Sequence, residues 1–134
     1  MHRARLSVVL SLSVLLSTLV AAQDASYTFT TFDVPGGEGT QAFGINVRGQ
    51  IVGYFSYGTL TGAHGFLKDG TTFTTVDVPG STNTFAQGIN EGGQIVGSFD
   101  DGTRDRGFVT DGVTFTPIDD GAGLTEAYGI NDGG

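Results

Sequence analysis

The sequence contains no cysteine, so disulfide staples are excluded and stability has to come from packing and β-ladders. It lacks helical periodicity outside its first residues, because apolar positions never recur at 3.6 spacing after residue 22. It also lacks a long apolar run. The longest, Leu6 to Val20, is fifteen residues broken by Ser7, Ser11, Ser13, Ser17 and Thr18, whereas a bilayer span needs roughly 20 apolar residues. With His2, Arg3 and Arg5 before it and the small residues Val20-Ala21-Ala22 at its end, this run reads as a secretory signal peptide over residues 1–22, cut after Ala22. The rest of the chain, residues 23–134, is then expected outside the cytoplasm, secreted or in the periplasm or at the cell surface, with no membrane insertion after cleavage.

Basic residues are scarce as well. After the expected cleavage, Arg48, Lys68, Arg104 and Arg106 stand against fourteen Asp and Glu, a net charge of −10. Such a surface repels phosphate backbones and anionic lipid headgroups, which argues against nucleic acid as a partner and favours solubility.

What the chain does have is a repeated hairpin. Gly44-Ile45-Asn46-Val47-Arg48-Gly49-Gln50-Ile51-Val52-Gly53 returns as Gly88-Ile89-Asn90-Glu91-Gly92-Gly93-Gln94-Ile95-Val96-Gly97, and Gly129 to Gly134 begins a third copy. In each, an apolar run meets Asn, two turn residues follow, Gly comes next and a β-branched pair resumes. Asn46, Gly49, Asn90, Gly93, Asn131 and Gly134 are therefore structural turn residues: Asn accepts local backbone bonds, and Gly takes the positive φ that closes a short hairpin with a bulge.

The repeat is longer than the hairpin. Phe29, Asp33 and Gly44 recur 44 residues later as Phe73, Asp77 and Gly88, and again as Phe115, Asp119 and Gly129, at spacings of 42, 42 and 41. A fixed period of this length signals a repeat architecture. Two and a half copies follow, 27–70, 71–112 and a shortened 113–134. Each is expected to hold four short strands: Tyr27 to Val34, the two hairpin arms Ala42 to Ile45 and Gln50 to Phe55, and His64 to Leu67. Ile51, Gly53 and Phe55 alternate with Val52 and Tyr54, so neither face of the third strand is polar and both expect cover. Four-stranded antiparallel units sandwiched between neighbours describe the blades of a β-propeller, in an all-β chain.

Gly-Ile-Asn followed by Gly-Gln-Ile-Val-Gly, with His64-Gly65-Phe66-Leu67 leading into Asp69-Gly70, resembles the bacterial extracellular repeats called the HAF family. The resemblance covers residues 27–134 and implies an exported bacterial protein with a propeller-like array. It implies no activity, substrate or catalytic residue. The family's third motif is usually His-Ala-Phe, and here it is His64-Gly65-Phe66 and Arg106-Gly107-Phe108, so the imidazole is not kept in both copies.

A closed propeller takes about four to eight blades. Two and a half copies therefore predict an incomplete array, a fragment of a longer protein, with an unpaired edge from Ala127 to Asn131 that invites self-association. Assembly of several short chains into one ring and a β-trefoil-like barrel are the alternatives.

Candidate chemistry is thin. His64 is the only histidine after residue 22, and its counterpart is Arg106. Asp100-Asp101-Gly102-Thr103-Arg104-Asp105 has the oxygen density of a Ca²⁺ loop but lacks the alternating ligands and terminal Glu of an EF-hand. Asp33, Asp77 and Asp119 recur at equivalent places, and equivalent places do not supply the two differing environments of a general acid and base. They are expected to accept backbone N–H bonds at turns. Tyr27, Tyr54, Tyr57 and Tyr128 are candidates for a sugar-binding surface.

The reading reached is an exported, non-enzymatic structural or binding scaffold with no cofactor and no metal. An extracellular protein or glycan would meet its loops Gly36 to Thr40, Ser56 to Ala63 and Asp100 to Asp105. The competing reading is a fragment of a secreted, glycan-acting hydrolase whose catalytic part lies outside this chain.

Overall fold

The computed structural model describes residues 26–59, 61–121 and 123–134, so the expected signal peptide lies outside the described residues. The chain divides into two units, residues 1–30 and 31–134. Of the first, residues 26–30 are described, and they are exposed and without regular structure.

The second unit is all-β, with no helix among the described residues. Its strands are β1 (Glu38–Ile45), β2 (Ile51–Ser56), β3 (His64–Asp69), β4 (Thr72–Val76), β5 (Asn83–Ile89), β6 (Ile95–Asp100), β7 (Asp105–Thr110) and β8 (Phe115–Ile118). They form two antiparallel meanders, β1-β2-β3-β4 and β5-β6-β7-β8. Neither sheet closes into a barrel among the described residues, which sets aside the trefoil-like alternative. They are two propeller-like blades.

The core lies between the blades because the strands alternate as their sequences require. Val52 and Val76 of the first sheet pack with Ala86, Ile89, Ile95, Phe99 and Phe108 of the second, and Leu67, Val78 and Phe115 close the margin. The opposite face of the first sheet carries Phe55 and Phe66, covered by Val34 and flanked by Phe32, Ile51 and Phe73.

Gly49 N–H donates to the Asn46 carbonyl (2.9 Å) and Asn46 N–H to that of Gln50 (3.1 Å); Gly93 and Asn90 repeat both bonds, and Gly134 N–H donates to the Asn131 carbonyl (3.2 Å). Gly49 and Gly93 have φ of 76° and 85°, a conformation that a Cβ disfavours.

The asparagines also do something that the turn alone does not require. Asn46 and Asn90 are buried, at 7% and 4% exposure. Asn46 Nδ2 donates to Gln50 Oε1 (2.8 Å) in its own turn and to the Asn90 carbonyl in the next (3.1 Å). Asn90 Nδ2 repeats this with Gln94 Oε1 (2.8 Å) and the Asn131 carbonyl (3.1 Å). Alongside, Val47 N–H donates to Glu91 Oε1 and Glu91 N–H to Asp132 Oδ1, both at 2.8 Å. A polar ladder thus runs from turn to turn, satisfying the Asn46 and Asn90 side-chain amides that close packing covers and flanked by the exposed Val47 and Glu91 bonds.

The sheets are phased differently from the repeats 27–70 and 71–112. The outermost strand of the first sheet is Thr72–Val76, which the sequence reading placed at the start of the following copy. Phe66 and Thr75 are partners in the β3–β4 ladder, as Phe108 and Pro117 are in the β7–β8 ladder. Tyr27 to Val34, the remaining copy of this strand, was expected to be a strand and is not one: among the described residues no β3-type strand lies beside it to complete a ladder. Phe32 and Val34 nevertheless pack on the first sheet, as Val76 and Val78 pack on the second. Val34 N–H donates to Thr40 Oγ1 (3.1 Å) and Val78 N–H to Thr84 Oγ1 (3.2 Å), the same bond one repeat apart.

Candidate binding surface at the loop end of the sheets

Antiparallel meanders put the short hairpin turns at one end of the blades and the longer β2–β3, β4–β5 and β6–β7 connections at the other. The loops singled out from the sequence, Gly36 to Thr40, Ser56 to Ala63 and Asp100 to Asp105, all lie at this second end.

In the first sheet, His64 opens β3 and Asp77 follows β4, so pairing of these strands brings them together. His64 Nδ1 lies 2.8 Å from Asp77 Oδ2, and Gly65 N–H donates to Asp77 Oδ1 (3.2 Å). Asp77 therefore accepts a backbone N–H, as expected of this position, but from the neighbouring strand and not from the Pro79-Gly80 turn. The imidazole sits against Tyr57 and Phe55, with ring centroids 5.4 and 5.6 Å away. Tyr57 is 55% exposed. Beside it a pocket of about 240 Å³ runs along β4 as far as the β3–β4 turn, lined by Val34, Pro35, Phe55, Phe66, Thr71, Phe73, Thr74 and Thr75.

In the second sheet the same place holds paired charged side chains. Arg106 Nη1 lies 3.1 Å from Asp119 Oδ2, the counterpart of the His64–Asp77 contact. Arg104 Nη2 shares that carboxylate at 2.6 Å, and Arg106 Nε lies 2.5 Å from Asp101 Oδ2. Asp119 Oδ1 accepts the Gly121 N–H (2.8 Å), a turn bond of the predicted kind. Asp33 is exposed.

The acidic loop spends its oxygens on itself. Asp100 accepts from Gly102 N–H and Thr82 Oγ1, and Asp101 Oδ1 accepts from the Thr103 hydroxyl and from the N–H groups of Thr103 and Arg104. Among the described residues no three acidic or histidine side chains converge on a point where an ion would sit. Asp101 is held well below the usual carboxylate range, first by the Thr103 hydroxyl, then by the Thr103 and Arg104 amides and by Arg106. At the opposite end Asp111 is lowered by the N–H groups of Thr114 and Val113, and the Tyr128 phenol is raised by its bond to, and the charge of, Glu126.

Because the folded-state pKa of Asp101 is depressed, its contribution to stability is present above the unfolded value of 3.8 and is lost as pH falls through the folded one. Asp101→Asn should therefore flatten the loss of stability on acidification below about pH 4, relative to wild type. Urea midpoints measured from pH 5 to pH 2 check this; parallel curves for the two proteins would show that the carboxylate is not ionised preferentially in the fold.

The three tyrosines of the second unit do not form one surface. Tyr54 is enclosed between Phe43 (5.6 Å, stacked) and Phe85 (4.9 Å, edge-on). Tyr128 is exposed on the segment after β8 and donates to Glu126. Tyr27 is exposed in residues 1–30. Among the three, Tyr57 borders the pocket beside β4, at its loop end. The sequence reading missed the pairing of positions 64 and 106 with positions 77 and 119, although the substitution of Arg106 for His64 with the Asp retained was its signal. Comparison with family models, curated proteins and solved structures finds no match to the chain.

Proposed function

We propose that this chain is an exported, non-enzymatic scaffold of the HAF-repeat type that binds an extracellular ligand through its loop end, with a glycan as the leading ligand class. The observation carrying this reading is a contrast between the two sheets. Their turns and inter-turn bonds repeat and their ladders share the bulge before Gly44 and Gly88, with an added irregularity between Glu38 and Gln41 in the first, while their loop ends differ: an imidazole and aromatic rings in one, a guanidinium and carboxylate cluster in the other. A constant frame presenting variable loops is the arrangement of a recognition protein. The His64–Asp77 pair has the place of Arg106–Asp119, so bracing β3 against β4 accounts for its geometry. Tyr57, half exposed beside a pocket with threonine hydroxyls, offers an apolar ring face of the kind on which sugars stack.

The test is a glycan array followed by calorimetry on the full chain and on Tyr57→Ala. Binding that weakens about tenfold or more in the variant is expected, since truncating an aromatic anchor carries costs of that order. An empty array, or an affinity that Tyr57→Ala leaves unchanged, would sink the glycan reading.

A further inference from the structure

The pocket beside Tyr57 differs from its counterpart in the second sheet at the positions a ligand would touch. Tyr57, Thr71 and Thr75 line it. One repeat later the same positions are Asp101, Val113 and Pro117, so the ring and both hydroxyls are replaced, while Phe73 and Thr74 keep their kind as Phe115 and Thr116.

Pro117 also fixes the direction in which the edge of the first sheet presents its main chain. It pairs with Phe108 in the β7–β8 ladder, and proline has no N–H to give, so at this register position the main-chain nitrogen faces away from β7. Thr75 holds the same register against Phe66 in the β3–β4 ladder. Because β4 is the last strand of its sheet, the Thr75 N–H and carbonyl, and with the period of two those of Phe73, point away from β3 at a free margin. Residues of both faces of β4, Thr74 on one and Phe73 and Thr75 on the other, line the pocket, which is therefore a groove along this margin.

No lining residue carries a charge. The cation at the turn end, Lys68, is outside the lining: its Nζ lies over the Phe73 ring, 5.9 Å from the centroid, and donates to the Gly70 carbonyl (2.5 Å).

We propose that this groove takes a neutral, linear oligosaccharide laid along β4, and that it engages at least two consecutive sugar rings. Tyr57 stacks on the ring at the loop end. The hydroxyls of Thr75 and Thr71, with the outward main-chain groups of Thr75 and Phe73, hold the rings toward the turn. The inference rests on the glycan reading above and adds length, charge and the second set of contacts to it. Five residues of β4 extend about 16 Å at about 3.3 Å each, which exceeds one sugar ring. Sugar hydroxyls both donate and accept, as threonine hydroxyls and a free N–H and C=O together can. Uronate and sulfated chains find no lining cation, and the excess of acidic residues in the chain repels them. With Asp101, Val113 and Pro117 in these places, the second sheet has no such site.

The experiment titrates the full chain calorimetrically with xylo-, gluco- and manno-oligosaccharides of one to four units, and with oligogalacturonides of the same lengths as the anionic arm. Affinity in at least one neutral series is expected to rise about tenfold or more from one unit to three, with one ligand bound per chain and no binding of the galacturonides. Thr75→Pro removes the outward N–H and the hydroxyl together. Position 117 accepts proline at the same edge, so the urea midpoint should stay near that of wild type while the affinity for three units falls about tenfold. Thr75→Val, which keeps the N–H, and Thr71→Val should each weaken binding about threefold and carry the test if the proline variant does not fold. Equal affinity for one unit and four, galacturonides bound as tightly as neutral chains, or indifference to all of these variants would overturn this inference and leave the Tyr57 reading standing. Absence of binding in every neutral series overturns it as well, and with an empty glycan array the Tyr57 reading falls with it.

Discussion

Phe108→Ala is expected to cost about 3–5 kcal/mol of folding stability, the range for truncating a fully buried phenylalanine. The ring is 0% exposed and sits in the cluster that joins the two sheets, with Phe115 at 5.6 Å and Phe99 at 6.4 Å between centroids. Of its ring neighbours, Phe99 is held by ladders on both sides and Phe115 by the β7–β8 ladder, so the space closes only in part and the lost contacts and the cavity both count. Urea unfolding followed by tyrosine fluorescence or circular dichroism reads the effect. A midpoint unchanged within error would show that the two sheets do not share one cooperative core. Phe66 holds the same place in β3 and is also 0% exposed, but it belongs to the opposite face of the first sheet.

Gly97→Ala is expected to cost about 3 kcal/mol, at the upper end for overpacking, although it adds a single methyl group. That Cβ would stand 1.9 Å from the Phe85 carbonyl oxygen and 3.0 Å from Phe108 Cε1. The ring can shift, but the carbonyl is part of the β5–β6 ladder, so relief requires the two strands to part at the bulge between Ala86 and Gly88. Gly129→Ala is the matched control. Its Cβ would meet nothing within 4 Å, and its effect should stay within about 0.5 kcal/mol. Equal losses in both variants would mean that glycine at position 97 is favoured by backbone conformation and not by close approach.

The contrast between these glycines shows which features are written locally. Asn46-Val47-Arg48-Gly49 carries its turn in four consecutive residues, because the φ of Gly49 and the accepting carbonyl of Asn46 are set within that span. The same holds for the alternation of Ile51, Gly53 and Phe55 with Val52 and Tyr54, which predicted two covered faces and found them in the two core clusters. The need for glycine at position 97 is different in kind, since the atom that excludes a side chain belongs to Phe85. So is the placement of Thr72–Val76. Its residues favour a strand anywhere, and only the β3 ladder assigns it to the first sheet instead of the next.

The tyrosines and the aspartates divide along the same line. A sequence marks Tyr54 and Tyr57 equally, but Phe43 and Phe85 enclose the first while the second stays open beside the pocket. It marks Asp77 and Asp119 as equivalent, and their shared task of holding position 64 or 106 appears once β3 meets β4 and β7 meets β8.

By itself, then, the sequence determined the all-β class, the period and the two-faced burial of the central strands. These follow from interactions a few residues long, repeated until their pattern cannot be mistaken. Only the tertiary structure decided the phase of the sheets, the turn-to-turn ladder of Asn46, Asn90 and Asn131, and the exposure of Tyr57. The ladder joins residues about one repeat apart, the phase depends on which strand β3 pairs with, and the exposure of Tyr57 depends on what packs over it, so each is settled by packing and not by local preference.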